Sequence, residues 1–258
     1  MRTRLLAAVG VLLMTLGLTA GPAGAVTNGQ PDNGAHPMVG LLVFYDAAGN
    51  PTHRCSGTMI SATRVLTAGH CTFQTASAQI WFDEDMRNHP GYPFEGGFTG
   101  STHTYPVFSG ALALPETGDV GVVALDEAPA VGAASLAGVG ALDSLATQRG
   151  RQNTRFDVVG YGLQDIKPVE IANRVRLKAS VRLTNLRSAL TDGYNIHHSG
   201  APGTGGGTCF GDSGGPVFQE GGFSIVAVTS FGLNSNCAGG GFGYRVDRAE
   251  VQNWINGI

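Results

Sequence analysis

The sequence predicts an all-β fold. Glycine occupies 40 of 258 positions and charged residues only 14%, and the apolar residues come in short β-branched runs broken by Gly, Asn, Pro or Ser. Long apolar stretches at helical intervals are hard to find, so short strands joined by glycine turns fit this chain better than helices.

Residues 38–45, 55–60 and 65–68 read as successive antiparallel strands, each an apolar run closed by turn formers. Residues 78–82 and 120–125 continue the series, and the polar, glycine- and proline-rich stretch 83–109 between them reads as surface loop. At 129–147 the composition shifts to Ala, Gly and Ser without a period, which sets a junction between two lobes, about 26–140 and about 141–258. Beyond it, 156–162 reads as a strand, and Val175, Leu177, Ala179, Val181 and Leu183 alternate with polar neighbours along a half-buried one. Residues 224–231 and 243–246 add two more. Asp247 is placed to cap a terminal helix on which Val251, Trp254 and Ile255 share a face.

Residues 1–25 stand apart from this domain. Arg2 and Arg4 precede an apolar run from Leu5 to Leu18, and Ala23-Gly24-Ala25 supplies small residues at the spacing of a signal-peptidase site. The run is shorter than the roughly 20 apolar residues of a membrane span. A cleaved leader is expected, giving a secreted, extracellular protein with no membrane association afterwards.

The formal net charge is only −3 and no basic stripe is present, which argues against nucleic acid as a partner. Four cysteines in an exported chain, without a C-x-x-C pair, read as two disulfides rather than a metal site. Three pairings are open. Cys55 with Cys71 and Cys209 with Cys237 close short loops, and each such bridge stabilises by about 3 kcal/mol in the chain-entropy picture.

The chemistry concentrates in Gly211-Asp212-Ser213-Gly214-Gly215-Pro216. A serine hydroxyl barely ionises at neutral pH, so nucleophilic work needs a base, a group that orients the base, and donors for the developing oxyanion. The N–H groups of Gly211 and Ser213 are candidates for the last role. Thr67-Ala68-Gly69-His70-Cys71 puts His70 at a turn beside a cysteine, whereas His36, His53, His89, His103, His197 and His198 have no such context and read as surface or core histidines. Asp119 opens an apolar strand, where it can reach an imidazole nitrogen, fix its tautomer and stabilise the imidazolium. Asp126, after the same strand, is the competing carboxylate and reads as exposed.

These motifs, with Gly160-Tyr161-Gly162 and Ser230-Phe231-Gly232, resemble those of small secreted trypsin/chymotrypsin-type serine proteases, from Val26 to the terminal helix. The resemblance implies two six-stranded antiparallel β-barrels with a C-terminal α-helix and an active site in the cleft between them. It implies a serine endopeptidase that acts as a monomer on protein or peptide substrates and needs no cofactor or metal. Chain order supports it: α/β-hydrolases run Ser, acid, His, but no histidine follows Ser213, and the alternating α/β pattern of subtilisins is missing although Asp32 and Asp46 precede His70.

By the same resemblance, cleavage after Ala25 frees a Val26 amino group to pair with Asp212 and order the oxyanion loop. The substrate pocket maps to Gly207, Gly232 and Gly241, with Ser230, Phe231 and Gly232 offering backbone bonds to an extended substrate. None of the three glycines supplies the carboxylate that cleavage after Arg or Lys requires, so a roomy apolar slot for Phe, Tyr, Leu or Met is expected. The cysteines of a further second-barrel bridge are absent from 189–199, and Asp83-Glu84-Asp85 reads as a solvated turn rather than a calcium loop. Two other readings remain: a non-catalytic homologue serving as a secreted binding module, and an esterase of the same mechanism.

Overall fold

The computed structural model describes residues 26–91, 93–147, 153–166, 170–200 and 206–258; the expected leader, 1–25, lies outside them. A two-residue strand β1 (Gln30–Pro31) is followed by β2 (Val39–Tyr45), β3 (Pro51–Met59), β4 (Arg64–Thr67), β5 (Ser77–Trp81), β6 (Phe98–Thr104) and β7 (Gly121–Leu125). Strands β2 to β7 close a six-stranded antiparallel barrel in the order β2-β3-β4-β7-β6-β5. Every residue of β2 is buried, as its unbroken apolar run dictates.

Strand β6 corrects the expectation of loop throughout 83–109. Its sequence, FTGSTHT, leaves most side chains half-buried or exposed and carries little apolar signal. Its backbone is claimed on both sides, by β5 and β7, because the barrel cannot close without it.

The second barrel is built from β9 (Arg155–Gly160), β10 (Leu177–Asn185), β11 (Asn195–Ser199), β12 (Pro216–Gln219), β13 (Ser224–Gly232) and β14 (Gly240–Arg245), each antiparallel to its neighbours, with β9 returning to β10. Between the barrels, β8 (Ser135–Leu136) runs parallel to β13 and a 3-10 turn spans Asp143–Thr147.

The segment before the first barrel and the helix after the second each tie one barrel to the other. β1 pairs with β10, and Val26 is wholly buried in the second barrel's core. At the other end, helix α2 (Ala249–Asn256) sends Val251 and Ile255 into the core shared with the first barrel, and Trp254 meets Tyr105 with ring centroids 5.2 Å apart. Its N-cap is Arg248, without a side-chain cap bond, rather than Asp247. The Asp247 carboxylate is taken instead by the Leu142 amide at 2.8 Å and by the Arg245 guanidinium, also at 2.8 Å.

A buried polar clamp joins the barrels. Asp32 accepts from the His36 ring at 2.5 Å and from Arg176 Nε at 2.9 Å, and Arg176 Nη1 donates to the carbonyls of Val39 and Phe82 and to the Tyr161 hydroxyl. These bonds hold β2, the end of β5 and the strands flanking Tyr161 and Arg176 in one arrangement.

Candidate active site

Strand register brings the first two site residues together. β4 pairs antiparallel with β7 so that Thr67 faces Gly121, which sets Asp119, two residues upstream of one strand, against the residues just downstream of the other. There the chain turns into a single-turn helix, α1 (Gly69–Thr72), which carries His70 and is fastened to β3 by the Cys55–Cys71 disulfide. The Asp119 carboxylate is completely buried and accepts from the His70 amide at 2.8 Å and from His70 Nδ1 at 2.9 Å. It also accepts from the Ser230 hydroxyl at 2.5 Å.

Burial alone would raise the Asp119 carboxyl, but the facing imidazolium and the bonds from His70 and Ser230 hold it below the usual carboxylate value. Desolvation would lower the His70 pKa, yet the adjacent Asp119 charge and hydrogen bond raise it above that of a free imidazole. The ring is about a third exposed (31%), and Nε2, on its far side, is unbonded.

Ser213 sits on a loop that the Cys209–Cys237 disulfide ties to the segment after β13. The amides of Cys209, Asp212, Gly214 and Gly215 are all spent within this region, on Asp212 Oδ2, Cys209 O, Thr229 O and Asp212 O respectively. Those of Gly211 and Ser213 have no acceptor among the described residues. Two free amides flanking a serine hydroxyl are the donors an oxyanion needs. Gly214 is obligatory here: its φ is +76°, and a Cβ would come within 2.6 Å of the Ala68 nitrogen and the Ser56 carbonyl.

Ser56, on β3, was not singled out by sequence. Its hydroxyl donates to the Gly211 carbonyl at 2.9 Å and accepts the Tyr161 amide at 3.0 Å, and its own amide donates to the Ser213 carbonyl at 2.8 Å. One first-barrel residue thus grips both residues with free amides. Asp212 is wholly buried between the amides of Gly162 and Cys209, at 2.9 Å each, with Gly160 and Gly162 leaving room for its carboxylate. Burial pushes that carboxyl up to about 7, against the two amides and the Arg54 charge, which favour the anion. No ion pair joins Asp212 to Val26, whose nitrogen is a peptide nitrogen in the intact chain.

A cavity of about 420 Å³ opens between the barrels, with His70, Ser213, Leu112, Thr208, Phe210 and Phe231 in its walls. Ser230, Gly232 and Gly241 line it too. Gly207 does not: its backbone pairs with Thr27, and it packs against Gly200, which does reach the cavity. The His70 ring bonds are to Asp119, and among the described residues none joins it to the Ser213 hydroxyl; bonds of this kind tighten as substrate binds. Phe231 stacks on Phe242 at 4.6 Å.

The "Trypsin" family model matches residues 26–255. Among curated relatives, Serine protease 1 of Drosophila melanogaster is 29% identical over 237 residues, covering 84% of this chain and 79% of the relative. Trypsin alpha of the same organism is 26% identical over 210 residues, with 79% and 77% covered. Among solved structures, HL collagenase superposes with a TM-score of 0.71 at 18% identity, covering 90% of this chain and 99% of that one. Human heparin binding protein gives 0.61 at 22% identity, with 90% and 96% covered. The structural likenesses speak for the two-barrel fold alone, but the family match spans both barrels and every motif described above: the chain belongs to the trypsin family and is a serine-type endopeptidase.

Proposed function

We propose that the protein is a secreted endopeptidase that cleaves peptide bonds through an acyl-enzyme on Ser213. His70 takes the Ser213 proton through Nε2 as the hydroxyl attacks the scissile carbonyl, and returns it to the leaving amine. Asp119 keeps Nδ1 protonated and stabilises the imidazolium. The tetrahedral oxyanion is received by the amides of Gly211 and Ser213. Ser230, Phe231 and Gly232 offer backbone groups to a substrate strand.

The observation that carries this reading is the buried Asp119 carboxylate bonded to His70 Nδ1, with the ring's other nitrogen left for the cavity that also receives Ser213. The described cavity walls include no Asp or Glu, which supports cleavage after non-basic residues. Activation follows from Asp212. Cleavage after Ala25 creates an ammonium at Val26 that pairs with a carboxylate otherwise held partly protonated by burial.

Labelling with a fluorophosphonate tests the core of this proposal. Ser213 should be modified stoichiometrically, and Ser213→Ala should lose labelling and peptide hydrolysis together; unmodified Ser213 in folded protein would refute it and favour a binding role. Comparing peptide with ester substrates separates an endopeptidase from an esterase. Amino-terminal sequencing of the exported protein tests the start at Val26.

A further inference from the structure

Large apolar side chains gather, exposed, around the mouth of the catalytic cavity. Among the described residues seven such side chains are exposed, and three of them, Leu112, Phe210 and Leu233, line this one cavity. They are 40%, 57% and 58% exposed, so each presents surface that a molecule entering the cavity meets. They come from three separate stretches of chain: the segment between β6 and β7, the loop just ahead of Ser213, and the residue after β13. Val107 and Leu114, also exposed, continue the apolar character along the first of these stretches. Single apolar residues scattered over a surface need no explanation, but a group converging on one concavity marks a binding surface.

Each of the three is carried on anchored backbone. The Leu112 segment is pinned by the buried rings of Tyr105, 5.2 Å from Trp254, and Phe108, 5.5 Å from Phe73. The Phe210 carbonyl accepts the Leu163 amide at 2.7 Å, and the adjacent Cys209 is held by its disulfide. Leu233 closely follows Phe231, which stacks on Phe242 at 4.6 Å, and Phe242 stacks on His197 at 4.4 Å. With the backbone held in this way the three side chains remain exposed instead of packing together. The described walls carry no Asp, Glu, Lys or Arg, so a charged side chain brought against them loses water and gains no counter-ion.

We propose that Leu112, Phe210 and Leu233 form an apolar collar for the residues neighbouring the one whose carbonyl is attacked, so that the substrates are apolar stretches of polypeptide such as an unfolded protein exposes. This rests on the acyl-transfer reading above and goes beyond the apolar slot expected at the attacked residue, because it assigns a preference outside that slot. Successive side chains of an extended substrate project to opposite faces, so while one enters the cavity its neighbours lie along the rim. Phe210 precedes Gly211, whose amide receives the oxyanion, and so flanks the attacked carbonyl. Leu233 follows the Ser230–Gly232 stretch that pairs with substrate, and Leu112 stands on the first-barrel side with His70. Covering these three side chains with apolar neighbours removes both surfaces from water.

The test uses the protein recovered from expression of the full chain, its acylating fraction counted from the burst with p-nitrophenyl acetate. Peptides hold the attacked residue constant, at the one that a mixed peptide library shows to be cleaved, and vary the residue on each side of it among Leu, Ser, Asp and Lys. In kcat/KM, Leu neighbours should exceed Ser by about tenfold or more, and Asp and Lys should be poorer still. The Leu/Ser ratio should fall several-fold in Leu112→Asn, Phe210→Asn and Leu233→Asn, exposed positions where such changes are tolerated. It should be kept in Val139→Asn, an exposed apolar position outside the cavity. Equal rates with Leu and Ser neighbours, or faster cleavage with Asp or Lys, overturn the proposal. So does a Leu preference that survives all three collar substitutions or that Val139→Asn also removes. A missing burst in the unsubstituted protein overturns the acyl-transfer reading itself, a distinguishable failure.

Discussion

The Ser230 hydroxyl donates to Asp119 Oδ2 at 2.5 Å, so the carboxylate that faces His70 from the first barrel is also held by the second. Asp119 is completely buried, and a buried anion must find donors for its lone pairs. It has the His70 amide, the His70 ring and Ser230. The sequence reading assigned Ser230 only a backbone role toward substrate, whereas its side chain braces the base-orienting group.

Ser230→Ala should therefore lower kcat by about tenfold, reflecting one charge-assisted hydrogen bond, while KM for a peptide substrate changes little. Steady-state kinetics on a fixed substrate check this. An unchanged kcat would show that the two His70 contacts suffice.

The pH dependence follows from His70. Only neutral imidazole can accept the serine proton, and Asp119 raises the ring's pKa above its ordinary value, so kcat/KM should fall as pH drops through that raised value. Asp119→Asn should move the limb to lower pH and reduce kcat by about 10⁴, a magnitude taken from the general behaviour of Ser-His-Asp sites rather than from this chain. A pH profile of both proteins reads the two effects separately.

The parts of the site that lie close along the chain were legible in the sequence. His70 beside Cys71, and Ser213 within its glycines, carry their chemistry in contiguous residues. The all-β class was equally legible from glycine frequency and short apolar runs. What escaped depends on register between distant segments. Ser56 touches Gly211 across 155 positions, and nothing local to a serine before a glycine announces that contact. β6 escaped because barrel closure, not apolar content, makes it a strand. Asp247 was read as a cap, but Arg245 and the Leu142 amide compete for its carboxylate and win.

Asp212 gives a prediction about the uncut state. Its carboxyl is raised to about 7 by burial while Val26 remains in peptide linkage, so the folded chain binds a proton more tightly than the unfolded one. Stability of a form carrying one extra residue ahead of Val26 should therefore decline as pH rises from about 4 toward about 7. In the form beginning at Val26 the ammonium should remove that decline, as should Asp212→Asn in the extended form. Thermal unfolding of the three proteins across this range checks the sign.

Ser56 predicts a split between kcat and KM. Removing its hydroxyl in Ser56→Ala strips a donor from the Gly211 carbonyl and an acceptor from the Tyr161 amide, loosening the loop that presents both free amides. Deleting an oxyanion donor costs 10²–10³ in kcat, and misplacing one costs less, so a loss of about ten- to a hundredfold is expected with KM nearly constant. Affinity for a boronate transition-state analogue should fall in parallel with kcat, and affinity for a cleaved product should not. Equal weakening of both ligands would mean the substitution merely disturbs the fold.

The last prediction concerns the buried clamp that joins the barrels. Burial alone would raise the Asp32 carboxyl, but bonds from His36 and Arg176 hold it down to about 2. A carboxyl depressed in the folded state stabilises above its unfolded pKa, and this contribution, about 2 kcal/mol, is lost as pH falls from about 4 to about 2. Asp32→Ala leaves the Arg176 guanidinium buried without its carboxylate partner and should cost about 3–5 kcal/mol at neutral pH, while flattening the acid limb of the stability curve. Denaturant unfolding at pH 7 and pH 3 measures both. Because Asp32 touches neither His70 nor Ser213, the folded fraction should retain its kcat/KM, and a loss of turnover per folded molecule would mean that barrel orientation is set by this clamp down to the geometry of the catalytic groups.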